Sequence, residues 1–238
     1  MTTASPGGHD SRGIPISLRG SSESMLSVLT SQFPPVPAVL RYARRLVPWS
    51  KRQIEECQAA FLYAVAQQYD HSGARLLEIG TAQGYSAAIL AQACPRGTLL
   101  TLNPKQHEVD AERSSLAPFG KLVRVSTELS WDYLASHEAS DPCDLVFVDG
   151  DHARVRLDLP WFDRVKVGGA MVFHDYAPDG TRRPCPPVFE ALDAMREALG
   201  RDFDVSMIDD GLIGIVGFYR RSSDEGWRER LPEALRTF

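Results

Sequence analysis

Two apolar runs of the chain end in acidic and imidazole side chains. The run from Asp144 to His152 (DLVFVDGDH) and the run from Gly168 to Tyr176 (GGAMVFHDY) both read as buried strands with polar C-terminal tips. Neighbouring parallel strands present such tips at one edge of the sheet, where ligands bind. We therefore expect a cluster of four side chains that suits Mg²⁺ or Mn²⁺: Asp149, His152, His174 and Asp175. The alternative is that the aspartates cap helices and the histidines are hydrogen-bonded rim residues.

A glycine turn precedes these runs. The stretch from Arg75 to Ser86 (RLLEIGTAQGYS) predicts a buried strand that passes through a turn directly into a helix. A helix N-terminus offers unpaired N–H groups and partial positive charge, and Gly80 and Gly84 would allow a ligand close to the backbone. Ala82 stands where a dinucleotide-binding turn needs a glycine, so the nicotinamide fingerprint is broken. Glycines placed for steric reasons alone are the competing interpretation.

The turn resembles motif I of class I S-adenosylmethionine-dependent methyltransferases, in which a glutamate, here Glu78, precedes the first glycine. The two strand tips resemble those of metal-dependent O-methyltransferases. These include catechol O-methyltransferase and, more closely, the bacterial small-molecule and sugar enzymes of the methyltransferase 24 type with a Val-Asp-Gly-x-His signature. The resemblance covers about residues 50–220. It implies that Asp149 binds a divalent metal, that His152 is the general base, and that Asp175 is a second metal ligand.

The resemblance leaves the third metal ligand open. His174 stands where the sugar enzymes carry a glutamate, and Tyr176 stands where the catechol enzymes carry an asparagine. His174 either ligates the metal, which would favour Mn²⁺ or a softer ion, or is a bystander. The residues expected to bind S-adenosylmethionine are Glu78, Gly80, Thr81, Gly84, Tyr85, Ser86, Asn103, Ser126, Thr127 and Asp149.

The adenosine end of the predicted cofactor site is less well marked. Asn103 follows the second strand of the domain, where related enzymes place an acid for the ribose hydroxyls; its amide can still donate and accept hydrogen bonds. Ser126 and Thr127 either hold the adenine or are ordinary turn residues. The tryptophans are expected to pack in the core rather than to stack on a sugar (Trp49, Trp131 and Trp161). A loop over residues 180–187 is expected to shape the acceptor pocket.

Strand and helix patterns alternate from Arg75 onward. Strands are predicted at 75–79, 98–102, 121–126, 143–148, 168–173, 203–208 and 212–219, the last two joined by a turn at Asp209–Gly211. Helices are predicted at 50–69, 84–94, 105–117, 129–137, 153–165 and 186–199. This pattern predicts a doubly wound, mostly parallel α/β sheet of seven strands with a C-terminal antiparallel hairpin, the Rossmann-like architecture that the resemblance also implies. The predicted divisions are a flexible tail (1–24), a helical or lid segment (25–70) and the methyltransferase domain (71–238).

Composition limits the partners of the chain. The 238 residues carry a formal net charge of −5, which argues against nucleic-acid binding. No apolar stretch approaches a membrane span, and the N-terminus has no signal-peptide pattern, so a cytoplasmic location is expected. The four cysteines are scattered without a Cys-x-x-Cys pair, which predicts reduced thiols and no zinc site. The sequence leaves a homodimer open.

These inferences together predict an enzyme. The expected reaction is metal-dependent methyl transfer from S-adenosylmethionine to a hydroxyl of a small molecule, with a sugar or glycoside as the first acceptor class. A catechol or other polyphenol is the alternative acceptor. A non-catalytic S-adenosylmethionine-binding protein of the same fold is the alternative from another functional class.

Overall fold

The computed structural model describes residues 17–48, 54–136, 141–176, 185–200, 203–209, 214–221 and 226–236. Some predicted features lie outside these ranges in whole or in part. They are residues 1–16 of the tail, Trp49, positions 50–53 and 137 at the ends of two predicted helices, positions 180–184 of the loop, the Asp210–Gly211 turn of the hairpin, and positions 212–213 of its second strand.

One eight-stranded sheet organises the described residues. Its strands are β1 (Ser17–Arg19), β2 (Arg75–Ile79), β3 (Thr98–Leu102), β4 (Val123–Ser126), β5 (Cys143–Val148), β6 (Val165–Tyr176), β7 (Phe203–Asp209) and β8 (Gly214–Arg220). Their spatial order is β1-β7-β8-β6-β5-β2-β3-β4. The pairs are parallel except that β8 runs antiparallel to both β6 and β7. The predicted mostly parallel sheet with a C-terminal antiparallel hairpin is therefore confirmed.

The prediction of seven strands was wrong, because the structure adds β1. This short strand pairs in parallel with β7, with Ser17 opposite Met207. It lies inside the segment 1–24 that composition predicted to be a flexible tail, so that predicted boundary extends too far. Three residues without an apolar pattern carry no strand signal of their own, and pairing with the edge of the sheet stabilises them. The other predicted domain boundaries stay predictions.

Helices cover both faces of the sheet. They are α1 (Ser22–Gln32), α2 (Val36–Leu46), α3 (Glu56–Gln67), α4 (Tyr85–Ala93), α5 (Gln106–Leu116), α6 (Ser130–Ser136), α7 (Pro186–Leu199) and α8 (Glu233–Arg236). Three 3₁₀ segments span Ala117–Leu122, His152–Arg164 and Gly226–Arg230. Side chains alternate between the two faces along a strand. Leu145 and Phe147 therefore pack on the same face as α1–α4, whereas Val146 and Val148 pack on the face covered by α7 and the second and third 3₁₀ segments.

The prolines near residue 35 begin a helix instead of interrupting structure. Pro35 is the residue before α2 and Pro37 lies in its first turn. Proline is tolerated there because the first-turn N–H groups have no partner within the helix. Helix α3 follows and buries ten consecutive residues, from Cys57 to Ala66, and it packs against α1, α2 and α4. No helix among the described residues is long and apolar enough to cross a membrane.

Candidate active site

The four predicted chemical side chains meet at the carboxyl ends of two paired strands. In the parallel pair β5–β6, Val148 lies opposite Phe173, so Asp149 and His174 follow at the same edge. His152 begins the 3₁₀ segment three residues beyond Asp149. The alternative that Asp149 is a helix cap does not describe this site, because the capping side chain is that of Asp151, which accepts a hydrogen bond from the N–H of Ala153 at 3.1 Å.

A backbone irregularity lets consecutive residues of β6 reach the same cluster. Side chains of neighbouring strand residues normally point to opposite faces. The register of β6 against β8 shifts between Phe173 and Tyr176, and Asp175 adopts a left-handed conformation with φ 60°. β-Bulges of this kind change the direction of side chains and are common next to active sites. As a result, His174 contacts Asp149 and Asp175 contacts His152, and both of these partners follow β5 in the chain.

The cluster is compact and mostly buried. The Nε2 atom of His152 lies 2.8 Å from Oδ2 of Asp175 and 3.4 Å from Oδ1 of Asp149. The Nδ1 atom of His174 lies 3.1 Å from Oδ1 of Asp149 and 3.3 Å from Oδ2 of Asp175. The His152 side chain is 36% exposed, whereas the other three side chains are nearly enclosed, so His152 is the member that a substrate can reach.

Gln58, which the sequence did not indicate, fixes the orientation of His174. This buried α3 residue accepts a hydrogen bond at Oε1 from the N–H of Glu55 at 2.9 Å. The same oxygen lies 3.0 Å from Nε2 of His174, so that nitrogen must carry a proton and donate it. The opposite nitrogen, Nδ1, therefore faces the two carboxylates. Metal-binding histidines are commonly oriented by such a second hydrogen bond.

Opposite charges stabilise each other inside the cluster. Hydrogen bonds to Asp149 and Asp175 raise the pKa of His152 to about 9. Burial by itself would lower the pKa of His174, but the same two carboxylates outweigh it and raise that pKa to about 10. Burial would raise the pKa of Asp175, yet both imidazoles hold it well below its usual range. The two carboxylates thus require nearby positive charge, which protons on the histidines or a cation can supply.

The glycine turn is built for chain packing. Gly80 has φ 91°, and a Cβ atom added there would lie 2.6 Å from the Cα of Gly150 and would also overlap the Asp149 carbonyl. Gly84, at φ 89°, directly precedes α4, and a Cβ atom added there would lie 3.1 Å from Cγ of Leu116. The expectation that ligand approach explains these glycines was incomplete, because the chain itself occupies the space. Gly80 holds the β2 and β5 tips together.

Beneath the turn, predicted cofactor residues form a buried polar layer. Glu78 is fully buried and accepts a 2.6 Å hydrogen bond from Thr101. Its burial raises its pKa to about 8, against hydrogen bonds from Ser86 and Thr101 that lower it. Thr81 in turn is hydrogen-bonded to Thr101. This layer, together with the buried Tyr85 ring, supports the turn from below.

A cavity of about 620 Å³ opens beside the turn and the cluster. Four of the predicted site residues line it, namely Gly80, Asn103, Asp149 and His152. Thr81, Tyr85 and Ser86 line a smaller adjoining pocket, which Gly80 and Asp149 also line. The remaining predicted site residues line neither the cavity nor the adjoining pocket; they are Glu78, Gly84, Ser126, Thr127, His174 and Asp175.

The wall of the cavity after β3 differs from the prediction. Asn103 is 2% exposed, and its side-chain amide donates to the carbonyl of Ala82 at 3.0 Å and to Glu112 at 3.1 Å. That amide is therefore engaged in holding the turn to α5. Glu108, in the first turn of α5, also lines the cavity and supplies a carboxylate that the sequence pattern did not single out.

The wall after β4 also lies further along the chain than predicted. The Ser126 hydroxyl donates to Glu128 at 3.1 Å, as in an ordinary turn, and Thr127 is exposed. Leu129, Ser130 and Trp131 line the cavity from this segment. Trp131 was expected in the core, but it lies half-buried on the cavity wall, whereas Trp161 is buried as predicted. Asp158, hydrogen-bonded to Ser130, completes this wall.

Among the residues that the structure describes, two groups of side chains have the donor atoms and spacing to hold a metal ion. One consists of the predicted ligands Asp149, His174 and Asp175, whose nearest donor atoms all lie within 4.8 Å of one another. The second consists of His152, Asp175 and Cys185 within the same limit. Oxygen and imidazole donors in the first group fit a hard or borderline divalent ion. No local pattern indicated Cys185, because its partners Asp175 and His152 lie 10 and 33 positions away along the chain.

Comparison with known proteins shows what the central part of the chain is similar to. Residues 77–176 match a family model described as "Methyltransferase domain", and this range contains every residue predicted for the site. Two proteins named catechol O-methyltransferase are similar over part of the chain. The one from Niastella koreensis is 30% identical over 50% of this chain and 55% of its own length. The one from Mycobacterium tuberculosis is 36% identical over 42% of this chain and 47% of its own.

The chain thus spans about half the length of these curated relatives. Among solved structures, the O-methyltransferase TomG from Streptomyces achromogenes, crystallised in complex with SAM, is similar at a TM-score of 0.62. It is 22% identical, and the match covers 84% of this chain and 96% of that chain, which shows a shared fold. The resemblance to class I methyltransferases, predicted from Glu78, Gly80 and Gly84, is confirmed by these comparisons.

Proposed function

We propose that this chain, whose residues 77–176 match the methyltransferase domain family, is an S-adenosylmethionine-dependent O-methyltransferase of a small-molecule hydroxyl. The observation that carries the proposal is the position of two side chains, Asp149 and His152. Both line the cavity beside the glycine turn; Asp149 contacts the buried His174, and His152 contacts the buried Asp175. A methyl-donor pocket and an acid–base cluster therefore share one wall.

The cavity beside the glycine turn is the proposed cofactor site. S-adenosylmethionine supplies an electrophilic methyl group, so the protein has to align donor and acceptor and remove the hydroxyl proton. In this proposal the turn from Gly80 to Gly84 holds the methionine part. Glu108 reaches the ribose, and Trp131 offers an aromatic face to the adenine. The complex of TomG with SAM, in a protein of the same fold, supports this choice of cofactor.

Asp149, His174 and Asp175 are the proposed ligands of a divalent metal, Mg²⁺ or Mn²⁺. The donor set fits such an ion because the Nδ1 atom of His174 faces two carboxylate oxygens while its other nitrogen is held by Gln58. A divalent ion held there would lower the pKa of an adjacent acceptor hydroxyl and orient it. The carboxylates contribute the charge that retains the ion, and Gln58 keeps the imidazole in place.

His152 is the proposed general base, and its charge state decides whether it can act. With a pKa of about 9, it is protonated at neutral pH and cannot accept a second proton. The carboxylates of Asp149 and Asp175 cause that shift. Positive charge beside them opposes it, so metal binding and base function are coupled in this proposal.

The acceptor class is a sugar or glycoside in the first place, as the sequence resemblance implied. The two relatives named catechol O-methyltransferase favour a catechol as the second candidate. Both classes present neighbouring hydroxyls, which could contact a cation and His152 together. A non-catalytic S-adenosylmethionine-binding protein would need the glycine turn but would have no use for the buried cluster of carboxylates and imidazoles.

The test measures cofactor binding and methyl transfer separately. Calorimetry with S-adenosylhomocysteine should show binding to the wild type and to Asp149→Asn and Asp175→Asn. Formation of S-adenosylhomocysteine from S-adenosylmethionine, with catechol and a p-nitrophenyl glycoside as probe acceptors and Mg²⁺ present, should be lost in both variants. Asp132→Asn on the exposed face of α6 is the matched control and should retain activity. Absence of S-adenosylhomocysteine binding in the wild type would refute the proposal.

A further inference from the structure

Cys185 lies at the edge of the active-site cluster. It is the half-buried residue directly before α7, and its Sγ atom lies within 4.8 Å of donor atoms of both His152 and Asp175. The three residues come from three different elements: the start of a 3₁₀ segment, the bulge of β6 and the N-terminal end of α7. The fold therefore brings together a thiol, an imidazole and a carboxylate.

We propose that His152, Asp175 and Cys185 form a second metal site, which binds a thiophilic divalent ion such as Zn²⁺. This site shares Asp175 with the Asp149–His174–Asp175 group but uses a different histidine. A metal bound to Nε2 of His152 occupies the nitrogen that would otherwise accept the acceptor's proton. This inference rests on the proposed function: Zn²⁺ bound in this second site inhibits methyl transfer.

The donor set favours zinc over magnesium. Thiolate and imidazole ligands select Zn²⁺, whereas Mg²⁺ prefers oxygen ligands and near-octahedral geometry. Tetrahedral bonds to zinc of about 2.0–2.3 Å place neighbouring ligand atoms roughly 3.3–3.7 Å apart. The observed separations, 2.8 Å between His152 and Asp175 and all within 4.8 Å, bracket that range. Three protein ligands leave the fourth position to solvent, and the thiol gives its proton to solvent on binding.

The site is accessible and its central ligand is held in place. The His152 side chain is 36% exposed and lines the cavity, which provides an entry path for the ion. Asp175 is fixed by the bulge and by its contact with His174 at 3.3 Å. The expectation of no zinc site rested on the lack of a Cys-x-x-Cys pair. That criterion does not detect ligands assembled from distant parts of the chain.

Cobalt provides the direct test because it replaces zinc and reports thiolate ligation by absorption. Co²⁺ added to the full chain in excess Mg²⁺ should give a sulfur-to-cobalt charge-transfer band in the near ultraviolet. Cys185→Ser should lose that band, and Cys143→Ser, at the opposite end of β5, should keep it. Zn²⁺ affinity, measured by competition, should fall at least about tenfold in Cys185→Ser, as for other disrupted metal sites. No band in the wild type, or a band that persists in Cys185→Ser, overturns the proposal.

A second measurement separates this inference from the proposed function. The cobalt band requires no methyl transfer, whereas S-adenosylhomocysteine calorimetry tests the methyltransferase assignment by itself. If the band appears and S-adenosylhomocysteine does not bind, the metal site stands and the proposed function fails. If methyl transfer is measured, the Zn²⁺ concentration that inhibits the wild type should be at least about tenfold lower than the concentration that inhibits Cys185→Ser. Equal inhibition of both would overturn the inhibitory role.

Discussion

The charge of His152 should depend on its two carboxylate partners. Asp175 lies 2.8 Å and Asp149 lies 3.4 Å from its Nε2 atom, and together they raise its pKa to about 9. We expect the His152 imidazole to titrate near that value in the protein freed of metal by EDTA. In Asp175→Asn the shorter contact loses its charge, and the pKa should fall by at least about one unit.

The size of this shift decides whether His152 can act as a base. With a pKa of about 9, roughly 1% of His152 is neutral at pH 7, whereas an unperturbed pKa of 6.5 leaves roughly 75% neutral. A cation that offsets the carboxylates should therefore raise the population of the active form by up to about 75-fold. The metal-free rate of methyl transfer, if measurable, should rise about tenfold per pH unit up to pH 9.

Nuclear magnetic resonance of the imidazole ring gives the titration without any substrate. His152→Gln identifies the resonance, and titrations with and without Mg²⁺ should differ by more than one pH unit. Asp132→Asn on the exposed face of α6 is the control variant and should leave the titration of His152 unchanged. A metal-free His152 that titrates below pH 7, or one that ignores Asp175→Asn, would refute this account of the base.

Two further predictions concern the cavity wall and stability. Ala82 has φ 46°, so Ala82→Gly should relieve backbone strain and raise the free energy of unfolding by about 0.5–1 kcal/mol, as measured by urea denaturation. The control Ala87→Gly, within α4, should lower the free energy of unfolding. Burial raises the pKa of Asp158 to about 7, so the folded state retains a proton that the unfolded state has lost between pH 4 and 7. Wild-type stability therefore falls as pH rises through that window, and Asp158→Asn should gain up to roughly 3 kcal/mol relative to wild type between pH 5 and pH 8. An equal gain at both pH values would contradict the assignment.

The sequence by itself determined the parallel part of the sheet and the chemical character of the site. Apolar runs bounded by turns located β2, β3 and β5 with the bounds that the structure has, because fully buried strands need continuous apolar side chains. Polar residues after such runs must lie at the sheet edge, so Asp149 and His174 could be placed near one another from their positions alone. The helix α7 began at Pro186 as predicted, since proline favours a first turn.

Local pattern did not determine features that depend on neighbours far along the chain. The strand β1 has no apolar alternation, and it forms only because β7 offers an unpaired edge. Asn103 and Ser126 have the right residue types for cofactor contacts. Their side chains instead bond to Ala82, Glu112 and Glu128, and only the packing of α5 and the turn after β4 decides that.

The tertiary structure also decided which side chains surround the cluster. A bulge with a left-handed Asp175 turns two consecutive residues toward one point, which the period of a regular strand forbids. Gln58 on α3 orients His174 across 116 positions of sequence, and Cys185 approaches His152 from the start of α7. Residue type and spacing thus specified what chemistry the strand tips can offer. Contacts between distant segments fixed the orientation and charge of each group, because those depend on burial and on partners that no local pattern encodes.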